Sequence, residues 1–203
     1  MAKSIGALWR TAGLAAILLA SGAAGARADD ASTTQAQFGQ NFTLLDEVTL
    51  GLLDHDPMRK EEGGTQDISF EVFTSPILGH RPSDSIFDEL IDPRLNVGAA
   101  INDGGKTSFA YAGPAWRFNV WGPVFVDAEF GMALNNGYTG AAPVSDHLLV
   151  GRNVTFHVEV GLGYRLTDHF DIIATAEHIS HAGLFAKRNA GVTDFGVRVG
   201  YRF

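Results

Sequence analysis

Two residues of this chain, His178 and Ser180, have the types and the spacing to do chemistry together. A hydroxyl is a weak nucleophile until a base takes its proton, and imidazole is the side chain best suited to take it near neutral pH. The two stand at the end of a run of alternating polarity that begins at Phe170, and a β-strand repeats its face every two residues. Both side chains then point the same way, with Cα atoms roughly 6.6 Å apart. The chemistry implied is acyl transfer: the serine attacks an ester carbonyl, and the histidine takes the hydroxyl proton and returns it to the leaving alcohol. A third group must orient the imidazole, and donors must hold the oxyanion. His-X-Ser alone is a common pattern, and a histidine at a membrane interface beside a strand-end serine satisfies it without any reaction.

The strand carrying the pair is one of eight alternating runs: Glu47 to Leu53, Asp67 to Val72, Leu95 to Ile101, Thr107 to Phe118, Val126 to Leu134, Asn153 to Arg165, Phe170 to Ser180 and Asp194 to Phe203. Gly113-Pro114 interrupts the fourth, which predicts a bulge or bend there. Eight such strands fit a soluble sandwich or a membrane barrel, and the polar face decides between them. It carries Glu47, Glu71, Asp127, Glu129, Glu159, Glu177 and Asp194, mixed with Arg165, Arg198, Arg202 and many glycines. A wetted sandwich face is richer in Lys, Thr, Ser and Gln, whereas glycines opposite acids and arginines suit the crowded inside of a small barrel. The reading is therefore all-β, an eight-stranded antiparallel outer-membrane β-barrel too narrow to leave an open pore. His178 and Ser180 share the lipid face with Phe170, Ile172, Ala174 and Ala176. A histidine facing acyl chains is costly unless it lies at the interface or has a task.

The N-terminus agrees with export. Lys3 and Arg10, an apolar stretch from Ala12 to Ala20, and an Ala26-Arg27-Ala28 end read as a signal peptide over residues 1–28. A small, polar, flexible leader is expected over 29–43, and the transmembrane β-barrel over 44–203. Without the signal the 15 basic residues fall to 12 against 23 acidic ones, a net charge near −11. That balance argues against a nucleic-acid partner. With no cysteine there is neither a disulfide framework nor a Cys-ligated metal. No metal or other cofactor is expected. With both ends in the periplasm, the connections His55 to Gln66, Asn102 to Lys106, Asn135 to Arg152 and His181 to Ala190 face outward. Thr74 to Arg94 is then a long periplasmic connection, in which Ile86, Phe87, Leu90 and Ile91 could form a short helix.

The segment Glu177-His178-Ile179-Ser180-His181-Ala182-Gly183-Leu184, then Arg188-Asn189-Ala190-Gly191-Val192, then the ending Gly200-Tyr201-Arg202-Phe203, resembles the lipid A 3-O-deacylase (PagL-like) family. Asn102-Asp103-Gly104-Gly105-Lys106-Thr107-Ser108 with Tyr111-Ala112-Gly113 is similar to that family's hairpin. The resemblance implies an outer-membrane esterase that removes an ester-linked acyl chain from the lipid A of lipopolysaccharide, with His178 and Ser180 as its catalytic His and Ser. Two positions depart from the pattern: His181 stands where the family has Asn, and Thr193 stands at the family's acidic or amide third member. Asp194 could serve if a bulge after Gly191 turned it outward; otherwise Thr193 or Asn189 would accept from His178. Asn189, matching the loop asparagine before the family's glycine, is the oxyanion candidate, with His181 and Thr193 as supports. The alternative is a non-catalytic structural barrel or an inactive family member, and pairing into a homodimer is left open.

Overall fold

The computed structural model describes residues 42–59, 63–79, 86–140, 147–184 and 190–203. The expected signal peptide and all but the last two residues of the expected leader lie outside them. Those two, Phe42 and Thr43, are already part of the wall: Phe42 is buried, and Thr43 exchanges hydrogen bonds with Ser75.

The order is β1 (Glu47–His55), β2 (Thr65–Phe73), α1 (Ile86–Ile91), β3 (Arg94–Asn102), β4 (Phe109–Trp121), β5 (Val124–Asn135), β6 (Val154–Arg165), β7 (Phe170–Ser180) and β8 (Val192–Arg202). Each strand pairs antiparallel with the next, and β8 closes on β1 with Leu50 opposite Val199. No helix among the described residues is long and apolar enough to cross a membrane; the strands, 9 to 13 residues long, have the length of tilted crossings. Strict alternation puts Leu50, Leu52, Phe70, Leu134, Val160, Leu162 and Val197 on the outer face, all exposed. The expected helix is α1, whose Leu90 carbonyl accepts from the outward Trp116 indole.

One expectation is corrected. The register of β4 against β5 runs unbroken from Phe109↔Asn135 to Asn119↔Phe125, and its shift falls between Asn119 and Trp121 at the periplasmic turn, not at Gly113-Pro114. Proline has no N–H to give, so pairing lapses locally there without an added residue.

The lumen is filled in layers. Near the periplasmic end Arg117 binds Asp127 at 2.7 and 2.8 Å, Asp171 at 2.9 Å and Glu47 at 3.1 Å. In the middle, Arg198 lies against Glu159, reaches Glu177 at 3.0 Å and Glu71 at 3.3 Å, and touches the Tyr111 hydroxyl at 3.3 Å. Tyr111 donates to Glu71 at 2.7 Å and stacks on His157 at 3.8 Å, while His157 Nε2 meets Glu177 at 3.2 Å. His157 and Glu177 are thus the inward-facing lumenal partners that alternation predicts. A Cβ on Gly51 would stand 2.6 Å from the Arg198 stem, so glycine there makes room for the arginine. Toward the outer end the filling turns apolar. Leu148 and Val150 of the β5–β6 loop are buried with Phe109, Ala133, Ile179 and Val192. The same loop accepts the Ala190 N–H on the Leu149 carbonyl at 3.2 Å, which ties the β7–β8 loop to the plug.

Two substitutions separate wall from filling. Val160→Arg, at the middle of the lipid face, should destabilise the folded barrel by about 2–4 kcal/mol. Arg198→Met should cost about 3–5 kcal/mol by leaving Glu71, Glu159 and Glu177 buried without their cation. Urea unfolding in lipid vesicles measures both, and an unchanged midpoint for Arg198→Met would show that the middle layer carries no net ion pairing.

Candidate active site

Alternation along β7 and register against its neighbours place the expected pair. His178 stands opposite Thr193 on β8 and Val158 on β6, and Ser180 stands opposite Phe156. Both are partly exposed on the outer face, at the outer end of the strand. The ring is held from behind: its Nδ1 lies 2.8 Å from Thr193 Oγ1. With the proton on Nδ1 the ring donates to that oxygen, and Nε2 is the free base. The Nε2 edge lies under Gly191, where a Cβ would stand 2.7 Å from His178 Cε1 and 3.0 Å from Nε2. Gly191 also has φ +54°, a conformation costly to side chains. Backbone without a side chain is thus what the loop can lay beside the ring. Among the described residues no hydrogen bond joins the ring to the Ser180 hydroxyl.

The other expected residues separate. Asp194 faces the lumen, as strict alternation demands, since no bulge follows Gly191. Its partner there is His55, whose Nδ1 lies 3.3 Å from Asp194 and 2.8 Å from Asp67. The outward turn that would bring Asp194 to His178 does not occur, and Thr193 occupies that place. His181, one residue past the end of β7, is fully buried. Asn189 lies outside the described residues.

Sequence reasoning passed over Asp56, which it left in a polar outward loop. Asp56 is 1% exposed and has φ +41°. Its N–H donates to Asp194 Oδ1 at 2.9 Å, and its Oδ1 accepts the Thr193 N–H at 3.4 Å. Counting on in twos from Leu50 and Leu52 gives an exposed outward position, and the left-handed turn buries Asp56 instead.

Among the described residues, three groups bring metal-type ligand atoms within 4.8 Å of one another: His55, Asp67 and Asp194; His157, Glu159 and Glu177; Glu71, Glu129 and Glu159. All belong to the lumenal layers, away from the outer-face pair. Acyl transfer by a base-activated serine requires no metal.

The family model for lipid A 3-O-deacylase (PagL) matches residues 85–202. Among solved structures, the crystal structure of the outer membrane enzyme PagL aligns with TM-score 0.59 and 15% identity, over 77% of this chain and 99% of that one. A de novo designed transmembrane β-barrel aligns with TM-score 0.48 and 11% identity, over 79% and 96%. Neisserial surface protein A aligns with TM-score 0.46 and 14% identity, over 80% and 99%. No curated protein matches the chain. At such identities a shared structure speaks for the fold alone. A closed, lumen-filled, eight-stranded barrel with an apolar exterior defines a bacterial outer-membrane protein. The family match covers more than half of the sequence, and the chain belongs to the PagL lipid A 3-O-deacylase family.

Gly191→Ala tests the placement of the ring. The added methyl should push His178 aside and slow reaction of Ser180 with a fluorophosphonate roughly tenfold or more, because misplacement of about an ångström costs orders of magnitude. A fully folded barrel that reacts at the wild-type rate would show that Gly191 does not set the ring.

Proposed function

We propose that the protein is an outer-membrane serine esterase that removes the ester-linked acyl chain at the 3-O position of lipid A. The observation that carries this reading is the His178 ring, anchored through Nδ1 on Thr193 at 2.8 Å and sharing the lipid-facing side of β7 with Ser180. Ser180 Oγ attacks the ester carbonyl as His178 Nε2 takes its proton. The tetrahedral intermediate collapses, the imidazolium gives its proton to the departing glucosamine oxygen, which leaves as a hydroxyl, and an acyl-serine remains. Water, deprotonated by the same nitrogen, releases the fatty acid and restores the hydroxyl. Catalytic hydrogen bonds often tighten only with substrate bound, so the open His178–Ser180 contact is compatible with this sequence. Asn189 is the proposed oxyanion donor.

The wall beside the pair suits an acyl chain. Below His178 the outward residues of β7 are Ala176 and Ala174, between Val160 and Leu162 on β6 and Phe195 and Val197 on β8. Small residues on a strand flanked by larger ones leave a shallow apolar trough running from Ser180 toward the bilayer centre. The lumen is packed, so the substrate approaches from the outer leaflet and not through the barrel.

A second reading, a family member without activity, is favoured by Thr193 standing where the family places an acid or amide. One experiment separates the two. Lipid A from cells making the wild type should lose the mass of one acyl chain, and lipid A from cells making Ser180→Ala or His178→Ala should keep it, as read by mass spectrometry. Identical lipid A in wild type and Ser180→Ala would sink the hydrolase reading. Ala174→Phe should slow deacylation roughly tenfold or more by filling the trough, while leaving Ser180 open to a small fluorophosphonate; an equal loss in both assays would mean that the trough does not bind substrate.

A further inference from the structure

Asp56, one residue past the end of β1, lies beside Thr193 on β8, which faces His178 on β7. The β1–β8 register, which pairs Asp54 with Phe195, brings Asp56 beside Thr193 two residues further on, and the β7–β8 register sets Thr193 opposite His178. Facing side chains on adjacent strands are roughly 5 Å apart at Cβ, so Thr193 alone bridges the acid and the imidazole. The links are present: Nδ1 of His178 on Thr193 Oγ1 at 2.8 Å, and the Thr193 N–H on Asp56 Oδ1 at 3.4 Å. Asp56 leaves the strand in a left-handed conformation, φ +41°, held by its N–H on Asp194 Oδ1 at 2.9 Å. That turn buries its carboxylate to 1% exposure beside Thr193, where straight continuation of β1 would leave it in the headgroup layer. The charged groups acting on the ring are Asp56 and Arg59, both from the β1–β2 loop. Its β6 neighbour Val158 is apolar, and its β8 neighbour Thr193 is uncharged.

A threonine hydroxyl can orient an imidazole but brings no charge to balance the imidazolium that forms when the Ser180 proton is taken. We propose that Asp56 is the positioning residue that supplies this charge through Thr193, doing from the β1–β2 loop what an acid at position 193 would do by direct contact. The proton stays on the imidazole throughout, and Asp56 remains a carboxylate. His55 engages both Asp67 and Asp194 on the other side of the wall, and the Asp56 N–H on Asp194 locks the turn to that lumenal group. The inference rests on the esterase reading and extends it.

The test uses the full chain in lipid vesicles with lipopolysaccharide, and in parallel the rate at which Ser180 is phosphonylated by a small fluorophosphonate. Asp56→Asn removes the charge and keeps the turn, because Asn tolerates left-handed φ at least as well as Asp. Heat-modifiable electrophoretic mobility reports whether each variant is folded. The expected result is a kcat lower by about tenfold to a hundredfold with KM unchanged, and slower phosphonylation to match; the loss is smaller than the ~10⁴ that follows removal of a directly bonded triad acid. Thr193→Glu in the Asp56→Asn background should restore most of both rates, which a merely structural role for Asp56 would not produce. Wild-type rates in Asp56→Asn, or a loss that Thr193→Glu does not repair, would overturn the assignment. Phosphonylation of Ser180 that depends on Asp56 in a chain that leaves lipopolysaccharide intact would support the role of Asp56 and reject lipid A as substrate. A wild type inert in both assays would reject the two together.

Discussion

Inside a bilayer no water is present to satisfy a free N–H or C=O, and the rest of this molecule follows from that constraint. Strands can span only as a closed sheet, and closure of β8 on β1 removes the last edge. Eight strands close so tightly that the lumen has room for side chains and none for a pore. Closure also forces alternation, because each residue that faces lipid must be apolar and each neighbour must then face the lumen. The inner positions are thus a confined space, and Arg117 and Arg198 each bind several carboxylates within it. The filled lumen in turn decides where chemistry can happen. With Leu148 and Val150 plugging the outer end and ion pairs below, the accessible reactive surface is the outside of the wall.

The site uses the rigidity of that wall. His178 and Thr193 face each other on paired strands, where register fixes their approach more firmly than two loops could. Among the described residues of the loop, Gly191 lies against the ring, and its missing side chain lets backbone pass beside the imidazole. The β5–β6 plug steadies this loop through the bond from Ala190 to Leu149. Filling and site are therefore coupled: the plug that closes the lumen also holds the backbone beside the base.

Most of this was legible in the sequence because a period of two holds wherever the ladder is regular. It placed Glu47, Glu177 and Arg198 inside, Leu50, Val160 and His178 outside, and it turned Asp194 away from the histidine before any coordinates did. It failed where the chain leaves the ladder. Gly113-Pro114 carries a bend signal, yet neighbours on both sides hold the register and only the local pairing lapses. Asp56 lies one residue past the end of β1, where a left-handed residue redirects the side chain and no local pattern announces it. Asp194 kept the predicted face, but its partner was not legible, since His55 comes from a strand 139 positions away in sequence and alternation says nothing of which inward residues meet.

The departures at positions 181 and 193 take on a common meaning when read through burial. His181 is fully buried, so its ring is packed within the protein and not laid on the outer face. Once residue 193 is a threonine, the imidazole keeps its orientation but loses an adjacent charge. A carboxylate brought in from the next strand can replace a charge, which acts over several ångströms, far more readily than it can replace a hydrogen bond, which does not. The arrangement here divides the work along that line: Thr193, in contact, provides direction, and Asp56, one strand away, is placed to provide charge.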